Sequence, residues 1–288
     1  GMCFMPETPR WLLSKGRLKE CRKVLQKIEP ENTVNDLIGQ MEVEIEKDRN
    51  SAVGWRYLMQ PWLRTPLMIA VCIMFFQQFV GINTVIYYSP KIFLMAGFES
   101  TLSAIWASVG IGIVNVVFTV ISLYLVDRIG RRKLYFIGLS GIAFSVLCLS
   151  ACFIYANQLG EIGRWLMVVF MFGYVAFFAI SIGPLGWLVI SEIFPQKVRG
   201  LGTSIGSLAV WIFNCIVSFT FFKIIDFFSI PGTEIVVGQT TSENPAGAFF
   251  LYGFIAVLGL VWGYLFLPET KGLSLEEIEQ KWRKNREC

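Results

Sequence analysis

Residues 75–90 read FFQQFVGINTVIYYSP, an apolar stretch long enough to form part of a membrane span that nevertheless carries Gln77, Gln78 and Asn83 around Gly81. Amides inside a hydrocarbon slab are costly unless they face a partner, a cavity or a solute. At about 100° per residue the three amides point in three directions on an ideal helix, so a straight rod does not aim them at one point. Glycine accepts backbone angles that break a helix, and a broken helix is tolerated at membrane depth where it lines a cavity. The stretch therefore predicts a half-helix facing a solute, broken at Gly81.

The rest of the chain supplies the membrane around it. Its 288 residues are 55% hydrophobic and only 16% charged, with mean hydropathy +0.58. A soluble domain carries roughly 25% charged residues. The charges fall in blocks between apolar runs, the pattern of a polytopic helical membrane protein. Six spans are expected near 66–89, 102–126, 134–156, 165–190, 201–222 and 247–267. The domain layout is then the end of a membrane helix (1–5), a region of short intracellular helices (6–64), a six-helix bundle (65–267) and a tail with a short helix (268–288).

In the region before the bundle, Leu18, Cys21, Leu25 and Ile28 share one helical face, and Leu37, Met41 and Ile45 another, with Pro30 between them. These are short amphipathic helices. In the tail, Ser274 with Glu277 forms a capping box, and Leu275, Ile278 and Trp282 make one apolar stripe.

Basic residues set the expected orientation. Arg128, Arg131, Arg132 and Lys133 lie between spans two and three, and Lys197 and Arg199 between four and five. The tail adds Lys271, Lys281, Arg283, Lys284 and Arg286, whereas 229–246 has no Lys or Arg. The positive-inside rule places the N-terminal region, both basic loops and the tail in the cytoplasm. The location expected is an integral multi-pass protein of a plasma or bacterial inner membrane.

Other classes find little support. No basic strip with interleaved aromatics stands apart from the spans, which argues against nucleic acid as a partner. Histidine is absent, removing the commonest general base and metal ligand. The seven cysteines include no CxxC pair, so they read as packing residues. No nucleophile–base pair or metal set is visible, and neither an enzyme nor a cofactor is expected.

The fourth span repeats the first span's irregularity at Gly183, Pro184 and Gly186, and each opens a group of three spans. Paired Gly/Pro-broken spans in corresponding positions point to a transporter site between inverted repeats. The polar residues of the spans are mostly neutral: Gln77, Gln78, Asn83, Asn115 and Asn214. An amide offers donors and an acceptor together, matching hydroxyls that both give and accept. Trp187 adds a flat apolar face and one N–H. A neutral polyol or sugar fits this set. Asn115 serves equally well as a bond between spans. Trp187 reads also as packing or as an interface anchor, and Tyr87 and Tyr88 as an aromatic belt or as a gate.

With these residues in view, the chain resembles the C-terminal half of a sugar porter of the major facilitator superfamily, the family of facilitative glucose transporters and bacterial proton–xylose symporters. The matching pieces are PETPRWLL at 6–13, QQFVGINTVIYYS at 77–89, DRIGRR at 127–132, GPLGW at 183–187, SEIFPQKVRG at 191–200 and PETKG at 268–272. The resemblance implies an all-α membrane fold of twelve spans in two six-helix bundles, alternating access, and a central monosaccharide site. It implies sugar contact by Gln77, Gln78, Asn83, Asn115, Trp187, Trp211 and Asn214, and an extracellular gate at Tyr87 and Tyr88. A cytoplasmic charge network of Glu7, Arg10, Asp127, Arg128, Arg131, Arg132, Glu192, Arg199 and Glu269 follows from the same motifs. Charge pairs of this kind are expected to hold the two bundles together in one conformation.

Val210 stands where many members have an amide, Ala179 where the glucose facilitators carry a glutamate, and Gly186 where they have a second proline. The partner implied is an N-terminal six-helix half, which would carry any proton-coupling acid. Alone, the chain is expected not to transport. Two other readings stand beside transport: a non-transporting sugar receptor, against which the short tail after PETKG counts, and an inactive fragment of a broken gene.

Overall fold

The computed structural model describes residues 7–28, 30–50, 58–98, 100–195, 198–228, 235–237, 240–242, 244–272 and 282. Two compact units result, residues 1–57 and 58–288.

In the first unit, helices α1 (Pro9–Ser14), α2 (Leu18–Leu25) and α3 (Glu31–Asn50) enclose Leu12, Leu13, Cys21, Leu25, Val34 and Ile38. Thr8 begins α1, its Oγ1 accepting from Trp11 N at 3.4 Å. Pro30 falls between α2 and α3 as expected. The buried face of α2 is narrower than its periodicity suggests: Cys21 and Leu25 are buried, but Leu18 and Ile28 are exposed. In α3, Val34 and Ile38 enter the core, with Met41 and Ile45 packed against it. A three-helix cluster this small has room for only one or two residues per turn.

The second unit contains α4 (Arg64–Phe79), α5 (Ile82–Met95), α6 (Thr101–Ile129), α7 (Arg131–Ile154), α8 (Ala156–Ile180), α9 (Ile182–Ile193), α10 (Arg199–Phe227) and α11 (Ala246–Phe266). Six segments among them are long and apolar enough to cross a membrane: Pro61–Met95, Thr101–Ile129, Arg131–Ile154, Ala156–Ile193, Arg199–Phe227 and Ala246–Phe266. The first is a 3-10 turn (Pro61–Leu63) followed by α4 and α5, and the fourth is α8, itself kinked at Gly160 (φ 52°, ψ −130°), followed by α9. Two spans are thus broken, and the other four are continuous. Helix α7 packs against α8 and α11, α4 against α10, and α6 against α5 and α8. An antiparallel ribbon, β1 (Ile235–Val237) with β2 (Thr240–Ser242), lies in the connection before α11 and was not legible in the sequence.

The first break is where the sequence puts it. Gly81 sits in the left-handed region (φ 86°, ψ 16°), and the chain restarts as α5 at Ile82. The second differs. Gly183, Pro184 and Gly186 lie inside α9, and the non-helical residue is Ser181 (φ −127°, ψ −102°). Proline has no N–H, and its ring clashes with the carbonyl four residues back, so the distortion appears N-terminal to Pro184. Gly186 serves close approach: a Cβ there would lie 2.9 Å from Gln77 Nε2.

The capping box at Ser274 and Glu277 and the stripe residues Leu275 and Ile278 lie outside the described residues, as do residues 1–6 and Lys197. Of that stripe Trp282 alone is described, and it is buried.

Candidate functional site

The two breaks face each other. Gln77 Nε2, in the last turn of α4, donates to the carbonyls of Ile182 (3.1 Å) and Gly183 (2.7 Å) in the first turn of α9. These acceptors fix the orientation of the next two amides. A carbonyl cannot donate, so Gln77 must present nitrogen to α9 and leave Oε1 facing back. Gln78 Nε2 donates to that oxygen at 3.3 Å, which leaves Gln78 Oε1 to accept from Asn83 Nδ2 at 2.6 Å. The result is a directional chain, Asn83 to Gln78 to Gln77 to α9, running across the break at Gly81. Gln77 and Gln78 are buried.

These residues border a cavity of about 330 Å³ lined also by Ile82, Asn115, Thr119, Phe178, Ala179, Gly183, Pro184 and Trp187. Its volume is at the small end for ligand pockets. Asn115 and Thr119 stand one turn apart on α6, and Thr119 Oγ1 donates to Asn115 O at 2.7 Å. The hydroxyl of Thr119 was findable from its i+4 spacing to Asn115, whereas Ile82, Phe178 and Ala179 carry no polar signal. The indole of Trp187 is 46% exposed, so its face is open rather than packed. Ungated by acids or bases, this lining offers amide N–H and C=O groups beside flat apolar surface.

The other expected contacts gather elsewhere. Asn214 on α10 is buried, donates to Tyr87 Oη at 3.4 Å, and accepts from Ser218 Oγ at 3.0 Å. Tyr88 Oη donates to Ser218 O at 3.4 Å, while its ring stacks on Phe221 with centroids 5.4 Å apart. Tyr87, Tyr88 and Asn214 therefore form one α5–α10 contact. Asn214 and Trp211 are not among the cavity's lining residues, and Trp211 is exposed.

At the other end of the bundle, Arg131 is the centre of a charge cluster. Its guanidinium lies 2.8 Å from Glu192 and 3.3 Å from Asp127. Thr270 Oγ1 donates to the second Glu192 oxygen at 2.5 Å. Glu269 caps α7: its carboxylate accepts from the backbone N–H of Arg131 and Arg132, each at 3.1 Å, satisfying two of the donors every helix start leaves orphaned. Lys271 Nζ donates to Arg128 O at 2.7 Å, and Arg132 to Tyr264 O at 2.8 Å. These contacts lie within one bundle, fastening α9 and the chain after α11 to the start of α7. Arg199 has Nε and Nη2 buried without a partner among the described residues. Glu7 and Arg10 belong to the first unit.

Comparison with known proteins agrees with this architecture. A family model described as "Sugar (and other) transporter" matches residues 1–282. The chain is 36% identical over 285 residues to the probable metabolite transport protein CsbC of Bacillus subtilis, covering 99% of this chain and 58% of that protein. It is 34% identical over 278 residues to the D-xylose-proton symporter of Escherichia coli, covering 96% and 53%. The glucose transporter GlcP of Staphylococcus epidermidis is 36% identical, covering 98% and 59%. Among solved structures, the proton:xylose symporter XylE bound to 6-bromo-6-deoxy-D-glucose superposes with a TM-score of 0.72 at 33% identity, covering 96% of this chain and 55% of that one. The chain thus spans about half the length of the curated relatives it matches.

Proposed function

The chain belongs to the sugar (and other) transporter family, and from that premise we propose that it supplies the C-terminal half of a monosaccharide site in a transporter that works by alternating access. An N-terminal six-helix half of the same transporter completes the site, and this chain alone does not transport. A hexose or pentose occupies the cavity between the two broken spans. The observation that carries this reading is the convergence of uncharged amides from α4, α5 and α6 on one cavity, with no Asp, Glu, Lys or Arg among the described residues that line it. A charged solute would call for a counter-charge.

The amide chain sets the polarity of recognition. Both donor hydrogens of Gln77 are committed to α9. Gln78 keeps one N–H, and Asn83 keeps one N–H and its Oδ1. A pair of neighbouring sugar hydroxyls would accept from the first two and donate to the last, with the C–H face of the ring against Trp187. Half-helices α5 and α9 can tilt at Gly81 and Ser181 while α4 and α8 stay in place. Tyr87 and Tyr88 would then act at the extracellular side and the Arg131 cluster at the cytoplasmic side, with both termini cytoplasmic. Any proton coupling would reside in the other half.

Gln78→Ala tests the site. It removes one N–H to the sugar and leaves Gln77 Oε1 and the Asn83 amide without their partner. The expected loss is about tenfold in monosaccharide affinity, read by titration of the complete transporter, both halves together, in nanodiscs, with membrane insertion and helix content unchanged. Equal affinity of variant and parent for every pentose and hexose tried would remove Gln78 from the site.

Arg131→Ala tests the gate. Glu192 would keep only Thr270, and the end of α9 would be released from α7. The expected shift between inward- and outward-facing populations is about 5- to 30-fold, corresponding to roughly 1–2 kcal/mol for a pair that is largely but not fully buried. Spin-label distances between the two halves of the complete transporter, at each end of the cavity, read it, and unchanged distributions reject the cluster as a gate.

A further inference from the structure

Each helix break leaves backbone carbonyls without their usual N–H partner, and in both cases a hydroxyl from another span has taken one of them up. In a continuous helix Thr84 N–H would bond Val80 O, but across the break it bonds Gly81 O at 3.2 Å. Tyr174 Oη, on α8, donates to Val80 O at 2.8 Å instead. At the second break Pro184 has no N–H to offer Ile180 O. Ser122 Oγ, on α6, donates to that carbonyl at 2.8 Å. Both hydroxyl-bearing side chains are buried, Tyr174 at 0% and Ser122 at 1% exposure.

Ser122 departs from the habit of its neighbours. Ser108, Thr119 and Thr203 each bond the carbonyl one turn back in their own helix. Ser122 forgoes that bond for a carbonyl 58 residues away. The two carbonyls also adjoin the cavity lining on both sides. Val80 lies between Gln78 and Asn83, and Ile180 between Ala179 and Gly183, all four of which line it.

We infer that Tyr174 and Ser122 are positioning residues of the solute site, each holding a carbonyl released at one break so that the amides on either side keep their aim. Tyr174 ties the first break to α8, and Ser122 ties the second to α6. Without its hydroxyl, a freed carbonyl away from water must find another donor, and residues that line the site flank it on both sides in sequence. Loss of either hydroxyl therefore draws recognition groups out of place without touching the sugar. The effect on sugar rests on the function proposed above, whereas the effect on the breaks does not.

The test uses this chain together with the N-terminal half that completes the transporter, in nanodiscs, with amide hydrogen exchange read by mass spectrometry and D-xylose and D-glucose as titrants. Tyr174→Phe keeps the ring and removes one oxygen. It should speed exchange about tenfold over residues 79–86, leave 139–150 as in the parent, and weaken sugar binding about tenfold. Ser122→Ala should do the same over 180–186, and Ser122→Thr, which keeps a hydroxyl, should restore parental behaviour. Parental exchange and affinity in Tyr174→Phe and Ser122→Ala would overturn the inference. So would faster exchange everywhere alike, the mark of a merely structural bond. If the parent binds neither sugar but the local exchange changes are present, the proposed function fails and the assignment of the two hydroxyls to the breaks stands.

Discussion

Gly81→Ala should destabilise the bundle by about 2–5 kcal/mol, through two independent costs. The residue holds φ 86°, where an L side chain costs roughly 1–2 kcal/mol. Its Cβ would also lie 2.3 Å from Tyr252 Cε2 and 2.4 Å from Cδ2. Tyr252 is 2% exposed, so the ring has no free space to move into, and overpacking of this kind costs about 1–3 kcal/mol. The relief open to the chain is to swing α5 away from α11, which carries Asn83 off Gln78. Stability and monosaccharide affinity should therefore fall together. Gly112→Ala is the control: nothing lies within 4 Å of its added Cβ, and its φ is ordinary. That change should be neutral or stabilising by up to about 1 kcal/mol. Thermal unfolding in a mild detergent compares the two, and equal midpoints would show that the break does not need glycine.

Gly138→Ala is the second large effect, and it acts where α7 crosses the second break. An added Cβ would sit 1.6 Å from Ser181 Oγ, 2.0 Å from Ser181 Cβ and 3.0 Å from Phe177 O. A rotamer change can move the hydroxyl, which now donates to Phe177 O at 2.7 Å, but not the Cβ. The helices must separate, at a cost of about 1–3 kcal/mol or more because backbone is involved. The contact predicts its own suppressor. Ser181→Gly removes both of the nearest atoms, so Gly138→Ala combined with Ser181→Gly should recover part of the loss, a non-additivity expected only of residues in contact. Additive unfolding free energies would place the damage elsewhere. Since Ser181 is the non-helical residue that aims α9 at the cavity, Gly138→Ala should also weaken sugar binding.

Local chemistry made much of this protein readable along the chain. Hydropathy and the placement of charge announce six spans, because transfer of each residue into hydrocarbon depends mainly on its own side chain. The break at Gly81 was legible for the same reason: amides flanking a glycine in an apolar run need a cavity, and glycine alone adopts the required backbone cheaply. Gln77, Gln78, Asn83, Asn115 and Trp187 do line one cavity.

Other features exist only in three dimensions. The resemblance implies sugar contact by Asn214, and the structure shows which groups it bonds, Tyr87 and Ser218, because its neighbours depend on how α10 rotates against α5. The second break lies at Ser181 rather than at the Gly-Pro pair, because the strain proline imposes falls one turn away. Glu269 belongs to a charged motif that reads as part of a salt-bridge network, but its carboxylate caps α7. The direction of the amide chain is fixed by two α9 carbonyls more than 100 residues beyond Gln77. Sequence alone thus determined which polar groups the membrane must accommodate. Tertiary structure alone decided which partner each one takes, because hydrogen bonding between spans turns on ångström-scale separation and orientation that no local pattern encodes.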